Sequence, residues 1–258
     1  MFDGESIRNP VNEFVYSLPI EKCSNKKLDW MIKNLNANFC KLYGCSVNIV
    51  QVQRDYLAEE EREGSLDITT FSVNSIEYFY IKIGTIFELC YQIFEELCKP
   101  DRSGAKKKHK LLEEEFERYN KERGETLRLD WYEAISKIRN RIVHGGFSIK
   151  AYVEGQRILF QAYDSDLDEQ ILEDYGYFKK DRNLIHADYY TNFYTRVCHW
   201  YVEMFLNFVL HQLGASRSEA GGGENVFSEL IKNSSSFLLL GNEPLFRALA
   251  VEMDGVAG

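Results

Sequence analysis

Residues 76–97 read IEYFYIKIGTIFELCYQIFEEL, and Ile76, Phe79, Ile83, Ile86, Cys90, Ile93 and Leu97 fall within them at alternating spacings of three and four. That spacing puts all seven on one side of a helix. Extended to its natural ends, the pattern predicts a helix over 67–98 of about nine turns, closed by Pro100. A helix of that length with one unbroken apolar stripe serves as the spine of a helical core.

Working outward from it toward the N-terminus, residues 25–43 predict a helix stopped by Gly44. Ser46–Val52 is apolar and fits either a strand or a continuation of that helix. Residues 1–24 lack periodicity and hold Pro10 and Pro19, so an irregular arm is expected. On the other side, DRSGAKKKHK (101–110) reads as a cationic loop, followed by a charged helix from Leu111 to about Lys121 and a break at Gly124. LRLDWYEAISKIRNRIVH (127–144) predicts a helix terminated by Gly145-Gly146. Ser148–Val153 and Arg157–Tyr163 alternate around Glu154-Gly155, a hairpin pattern. An acidic loop (DSDLDE, 164–169) and an aromatic-rich segment lead to a last helix over Ala187–Leu213. Tyr190, Phe193, Val197, Trp200, Met204 and Phe208 mark one face of it, and Gly214 ends it. SRSEAGGGEN (216–225) is a Gly-rich connector, and residues 225–252 offer one or two short helices.

The expected architecture is therefore mainly α. A four-helix skeleton carries a β-hairpin at about 148–163, inserted before the last helix. The expected parts are an N-terminal arm and helical extension over 1–64, a helical core over 65–214, and a flexible linker with a short helical appendage over 215–258. Fold class alone says nothing about chemistry.

Composition narrows the classes. The 258 residues carry 31 Lys/Arg against 40 Asp/Glu, a net charge of −9, with 17 Phe, 16 Tyr and 3 Trp. So aromatic a chain can bury a core without covalent staples. No apolar run reaches the roughly 18 residues of a membrane span, and MFDGESIRNPVNEF is no secretory signal, so no membrane association and a cytoplasmic setting are expected. Cys23, Cys40, Cys45, Cys90, Cys98 and Cys198 are scattered without a C-x-x-C pair. That argues for reduced, mostly buried thiols rather than a disulfide frame or a zinc site. Charge is unevenly spread. Residues 102–150 hold 13 Lys/Arg against 8 Asp/Glu, net +5, and the rest of the chain holds 18 against 32, net −14. Residues 102–150 are thus a basic zone in an acidic protein, a place where an anionic partner would bind.

The helix inside that zone carries the candidate site. At about 100° per residue, Trp131, Ala134, Ile135, Ile138 and Ile142 share a core face, while Glu133, Lys137, Asn140 and His144 cluster opposite. Arg139 falls between the two. The stripe includes Arg139-Asn140-Arg141-Ile142-Val143-His144, which resembles the Arg-x4-His signature of the HEPN family of helical-bundle proteins, many of them metal-independent endoribonucleases. Three features of context match that family. Asn140 directly follows the Arg, His144 stands at the end of the third bundle helix, and a long helix precedes while an aromatic-rich one follows. The resemblance covers about residues 65–214 and implies an up-and-down four-helix bundle. Departures are the inserted hairpin, both end extensions, and Gly146, which stands where some family toxins carry a modifiable Tyr. A second pair, Arg182 and His186, is one residue too close and reads as a decoy.

The chemistry can be stated from the residues. RNA is cleaved by its own 2′-hydroxyl when a base takes that proton, an acid protonates the departing 5′-oxygen, and positive charge meets the phosphate. Histidine suits the proton transfers, and the arginine fork suits the phosphate. The resemblance implies His144 as acid/base, Arg139 holding the scissile phosphate, Asn140 orienting, and two protomers sharing one cleft because one His cannot easily serve both proton steps. Lys137 and Arg141 would add charge. Lys106, Lys107, Lys108, His109 and Lys110 would clamp the backbone, unless they form a solvated turn. Glu77 and Glu88 either reach the cleft or belong to an exposed face. No cofactor and no metal are expected, and Asp164-Ser165-Asp166-Leu167-Asp168 lacks the Gly of a calcium loop. No phosphate loop, dinucleotide fingerprint, hydrolase elbow or zincin motif occurs. The expected function is a homodimeric, metal-independent endoribonuclease leaving 2′,3′-cyclic phosphate and 5′-hydroxyl ends, in a toxin–antitoxin or phage-defence setting with RNA as substrate. The alternative is a non-catalytic module binding RNA, a nucleotide or a protein partner such as an antitoxin.

Overall fold

A computed structural model describes residues 9–58, 65–99, 108–124, 129–154, 157–161, 179–181 and 184–215. The chain is mainly helical with a small antiparallel sheet. In order, it forms α1 (Pro10–Ser17), a single 3-10 turn (Ile20–Lys22), α2 (Lys26–Ala58), α3 (Ser65–Cys98), α4 (Lys108–Glu122) and α5 (Asp130–Gly145). Strands β1 (Lys150–Glu154), β2 (Arg157–Gln161), β3 (Lys179–Asp181) and β4 (Leu184–His186) follow, then α6 (Ala187–Gln212). No helix among the described residues is long and apolar enough to cross a membrane.

The stripe on α3 is core along its whole length: Ile76, Phe79, Ile83, Ile86, Cys90, Ile93 and Leu97 are all buried. Elsewhere the elements depart from expectation for identifiable reasons. From Pro10 onward the N-terminal arm is not irregular, because Pro10 occupies the first turn of α1, where its missing N–H costs nothing. Asn9 caps that helix by accepting from the Val11 N–H at 3.0 Å. Gly44 does not stop a helix. α2 runs through it to Ala58, so Ser46–Val52 is the continuation. Glycine costs roughly 1 kcal/mol there, less than the burial of Leu42, Tyr43 and Ile49 around it returns. On α6 Tyr190, Met204 and Phe208 of the expected face are buried, as are Tyr194, Cys198, Tyr201 and Phe205, while Phe193 and Val197 are half-buried and Trp200 is exposed. The expected hairpin exists as β1–β2, paired from Lys150↔Gln161 to Glu154↔Arg157. It belongs to a larger sheet of order β1-β2-β4-β3, with Phe160 opposite Ile185.

The chain divides into two compact units whose boundaries fall inside α2, α3 and α6. The first holds α1, α2 through Cys40, α3 from Leu89, α4, and α6 from His199. Its core is aromatic. Phe116 meets Tyr201, Phe205 and Phe208 edge-on at 5.5–5.7 Å, and Phe94 stacks on Phe208 at 5.5 Å. Asn25 caps α2 through the Lys27 and Leu28 N–H groups, and its amide donates to Glu96, which also pairs with Lys27 at 2.7 Å.

The second unit holds α2 from Lys41, α3 through Glu88, α5, the sheet, and α6 through Cys198. Polar bonds run through its core. The hydroxyls of Ser46 and Thr195 lie 2.7 Å apart, and Ser46 donates to the Thr191 carbonyl. Tyr80 donates to Tyr190 at 3.0 Å. Burial pushes the Tyr80 phenol well above its ordinary range, so both rings remain neutral hydrogen-bonding groups. Gln53 accepts from the Ile158 N–H and donates to Asp188, joining α2, β2 and α6.

Candidate functional site

The candidate site lies in the second unit, on α5 and the part of α3 beside it. Trp131, Ala134, Ile135 and Ile138 are buried, Ile142 is half-buried, and Glu133, Lys137, Asn140 and His144 are all exposed. The wheel therefore divides α5 as the sequence indicates. Its C-terminus is closed by Gly146 at φ +62°, the left-handed conformation that disfavours any side chain. The Gly146 and Phe147 N–H groups both return to the Arg141 carbonyl. That closure leaves His144 in the last turn, exposed to solvent.

Arg139 is held from three sides. Its Nη2 pairs with Glu88 Oε1 at 3.1 Å, and its Nη1 donates to Asn140 Oδ1 at 3.0 Å. Its aliphatic stem crosses α3 at Gly84, where the backbone has no side chain to obstruct it. The Arg139 side chain is 21% exposed against 53% for Glu88, so the fork sits at the surface while the stem is covered. An ion pair this exposed stabilises by at most about 1 kcal/mol. Its consequence is orientation. On the helix wheel Arg139 and His144 point about 140° apart, yet the hydrogen bond to Asn140 draws the guanidinium toward the stripe that ends in His144.

Tyr132, one turn before Ser136, completes the surroundings. Its ring stacks parallel on Phe87 with centroids 3.6 Å apart. Burial, and then the nearby Glu88 carboxylate, push its phenol up to about 12, opposed by Arg139 and a hydrogen bond with Ser136. It remains a neutral wall beside the ion pair at any physiological pH.

The structure thus brings Arg139, Asn140 and Glu88 together and lines up Lys137, Asn140 and His144 along one exposed stripe. Arg141 is half-buried. Lys106 and Lys107 lie outside the described residues, as do Arg182 of the second pair, the acidic loop at 164–169 and the connector from 216 onward. Lys108 begins α4. Glu77 does not reach Arg139. It accepts from the Ser148 hydroxyl at 2.8 Å and the Ile149 N–H at 2.9 Å, tying the α5–β1 connection to α3. Glu88, by contrast, belongs to the site. The contributions of Gly84 and Tyr132 left no mark in the sequence beyond a glycine inside a helical pattern. Among the described residues no cluster of three or more His, Cys, Asp or Glu could hold a metal ion. The comparisons with protein-family models, curated proteins and solved structures find no match for this chain.

Proposed function

We propose that this protein is a HEPN-like, metal-independent endoribonuclease that works as a homodimer. Arg139 holds the scissile phosphate, His144 moves protons, and Asn140 keeps the guanidinium turned toward the histidine stripe. One observation carries this reading: the Arg139 fork is bonded to Asn140, one helical turn before an exposed His144, on a net-positive stretch of an acidic chain. A fork fixed in advance loses little on binding phosphate, and a fixed positive charge acts most strongly where negative charge develops.

The reaction is in-line transesterification. The 2′-hydroxyl oxygen attacks the adjacent phosphorus and gives its proton to a neutral imidazole. The P–O5′ bond breaks, and an imidazolium protonates the departing 5′-oxygen. The products are a 2′,3′-cyclic phosphate and a 5′-hydroxyl. Two imidazoles in opposite protonation states are needed for one event, which is why a pair of α5 helices from two copies is part of the proposal. Lys137 and Arg141 add positive charge along the same helix. RNA is the substrate, and a toxin or phage-defence setting with a protein antitoxin suits such an activity.

The test is incubation of the purified protein with labelled single-stranded RNA in EDTA, beside His144→Ala and Arg139→Ala. Cleavage by the wild type and its loss in both variants is the expected result. RNA left intact but retarded in a gel by all three would replace the nuclease with a binding module. Hydrodynamic mass gives the dimer independently.

A further inference from the structure

Gly84 stands in the interior of α3, where glycine is the poorest helix former other than proline. A Cβ built on it would meet Arg139 Nε at 3.2 Å, Cδ at 3.4 Å and Cγ at 3.5 Å. The first of these is tighter than most side-chain contacts, so the stem of Arg139 would have to give by a few tenths of an ångström to admit an alanine methyl. Glu88, four residues on and hence on the same face of α3, meets the far end of that side chain at Nη2. Arg139 Nε is buried and has no hydrogen-bond partner. Its orientation is therefore set by the notch around the stem together with the bonds that the fork makes to Glu88 and Asn140.

We infer that Gly84 and Glu88 form a seat on α3 that positions Arg139 for phosphate, Gly84 by leaving room for the stem and Glu88 by fixing the fork. Both are positioning residues, acting on substrate only through Arg139. The inference rests on the nuclease reading for its catalytic consequence, but the seat itself has a signature of its own. The Nε–H of Arg139 is shielded from water, so its hydrogen exchange is slow. A fork displaced by an angstrom or less loses its alignment with the phosphorus, which costs rate rather than binding.

The experiment combines two readouts on the full chain: the exchange rate of the Arg139 Nε–H by NMR, and kcat and KM for RNA cleavage in EDTA. Gly84→Ala is expected to speed Nε–H exchange by ~10-fold and to lower kcat by ~10-fold with KM within about 2-fold. It should melt no earlier than wild type. Gly84→Leu fills the seat and should act more strongly in both readouts. Glu88→Gln keeps an acceptor for Nη2 and should retain most of the rate, whereas Glu88→Ala should lose it in part, which keeps the idea testable if Gly84→Leu does not fold. Wild-type kcat in both Gly84→Ala and Glu88→Ala, or Nε–H exchange unchanged by Gly84→Ala, would overturn the seat and leave the nuclease standing. A wild type with a protected Nε–H but no cleavage would overturn the nuclease reading and, with it, the catalytic role of the seat.

Discussion

Both compact units pack aromatic rings in their interiors, and they differ in the polar bonds found beside those rings. In the first, Phe94, Phe116, Phe205 and Phe208 close the core as a cluster of rings, and the hydrogen bonds of Asn25 and Glu96 stay at its surface. In the second, Ser46, Thr195, Tyr80, Tyr190, Gln53 and Asp188 bond one element to another inside or near the core. Ring packing is tolerant of small rotations and shifts, whereas a hydrogen bond between two helices fixes their register and is costly to leave unmade. The unit with the bonded interior is also the one that carries Arg139 and His144. We read the difference as one between a unit that supplies stability and a unit that holds groups in place.

That contrast can be broken most forcefully in the ring cluster. Phe116→Ala should destabilise the protein by about 3–5 kcal/mol, seen as a lower denaturation midpoint, with RNA cleavage per folded molecule unchanged. Loss of cleavage beyond the loss of folded protein would erase the division of roles. His144→Ala makes the opposite point. Its rate should fall by about 10²–10⁴-fold while chemical denaturation moves by less than about 0.5 kcal/mol, since the side chain is exposed on a capped helix end. Thr195→Val, which removes a buried hydroxyl and leaves the Ser46 hydroxyl with the Thr191 carbonyl alone, should cost about 0.5–1.5 kcal/mol. A stability curve superimposable on wild type would contradict it.

The smallest effect concerns pH. Lys27 and then Asn25 hold the Glu96 carboxyl below its usual range. A carboxyl lowered in the folded state adds stability above its unfolded range, and that contribution disappears as pH falls through the folded value. Glu96→Gln should therefore be slightly less stable than wild type at neutral pH, and the gap should close in acid below about pH 4. A gap of constant size from neutral to acid pH would remove Glu96 as its source.

The same contrast explains what could be read in advance. The α3 stripe is visible because a continuous buried face from Ile76 to Leu97 repeats its spacing many times. The exposed stripe on α5 is visible for the complementary reason. β3 and β4, three residues each, are too short to display any alternation, and β4 is recognised only by its pairing with β2 and β3. Pro10 looked like a breaker because its position relative to Asn9, not its identity, decides its effect. Within the site, Arg139, Asn140 and His144 are legible as neighbours on one helix. Glu88 is 51 residues from Arg139, and no periodicity links them. Gly84 is invisible for the same reason, because the absence of a side chain matters only once another helix lies against it.

The claim on which the account turns is that α5 cuts RNA through the 2′-hydroxyl with side chains alone. The ends of the fragments released in EDTA, identified by mass spectrometry, test it most directly. The account predicts a 2′,3′-cyclic phosphate on one fragment and a 5′-hydroxyl on the other, with no cut where the scissile nucleotide carries a 2′-deoxy sugar. Fragments ending in 3′-hydroxyl and 5′-phosphate, or cleavage that proceeds through the 2′-deoxy position, would contradict it.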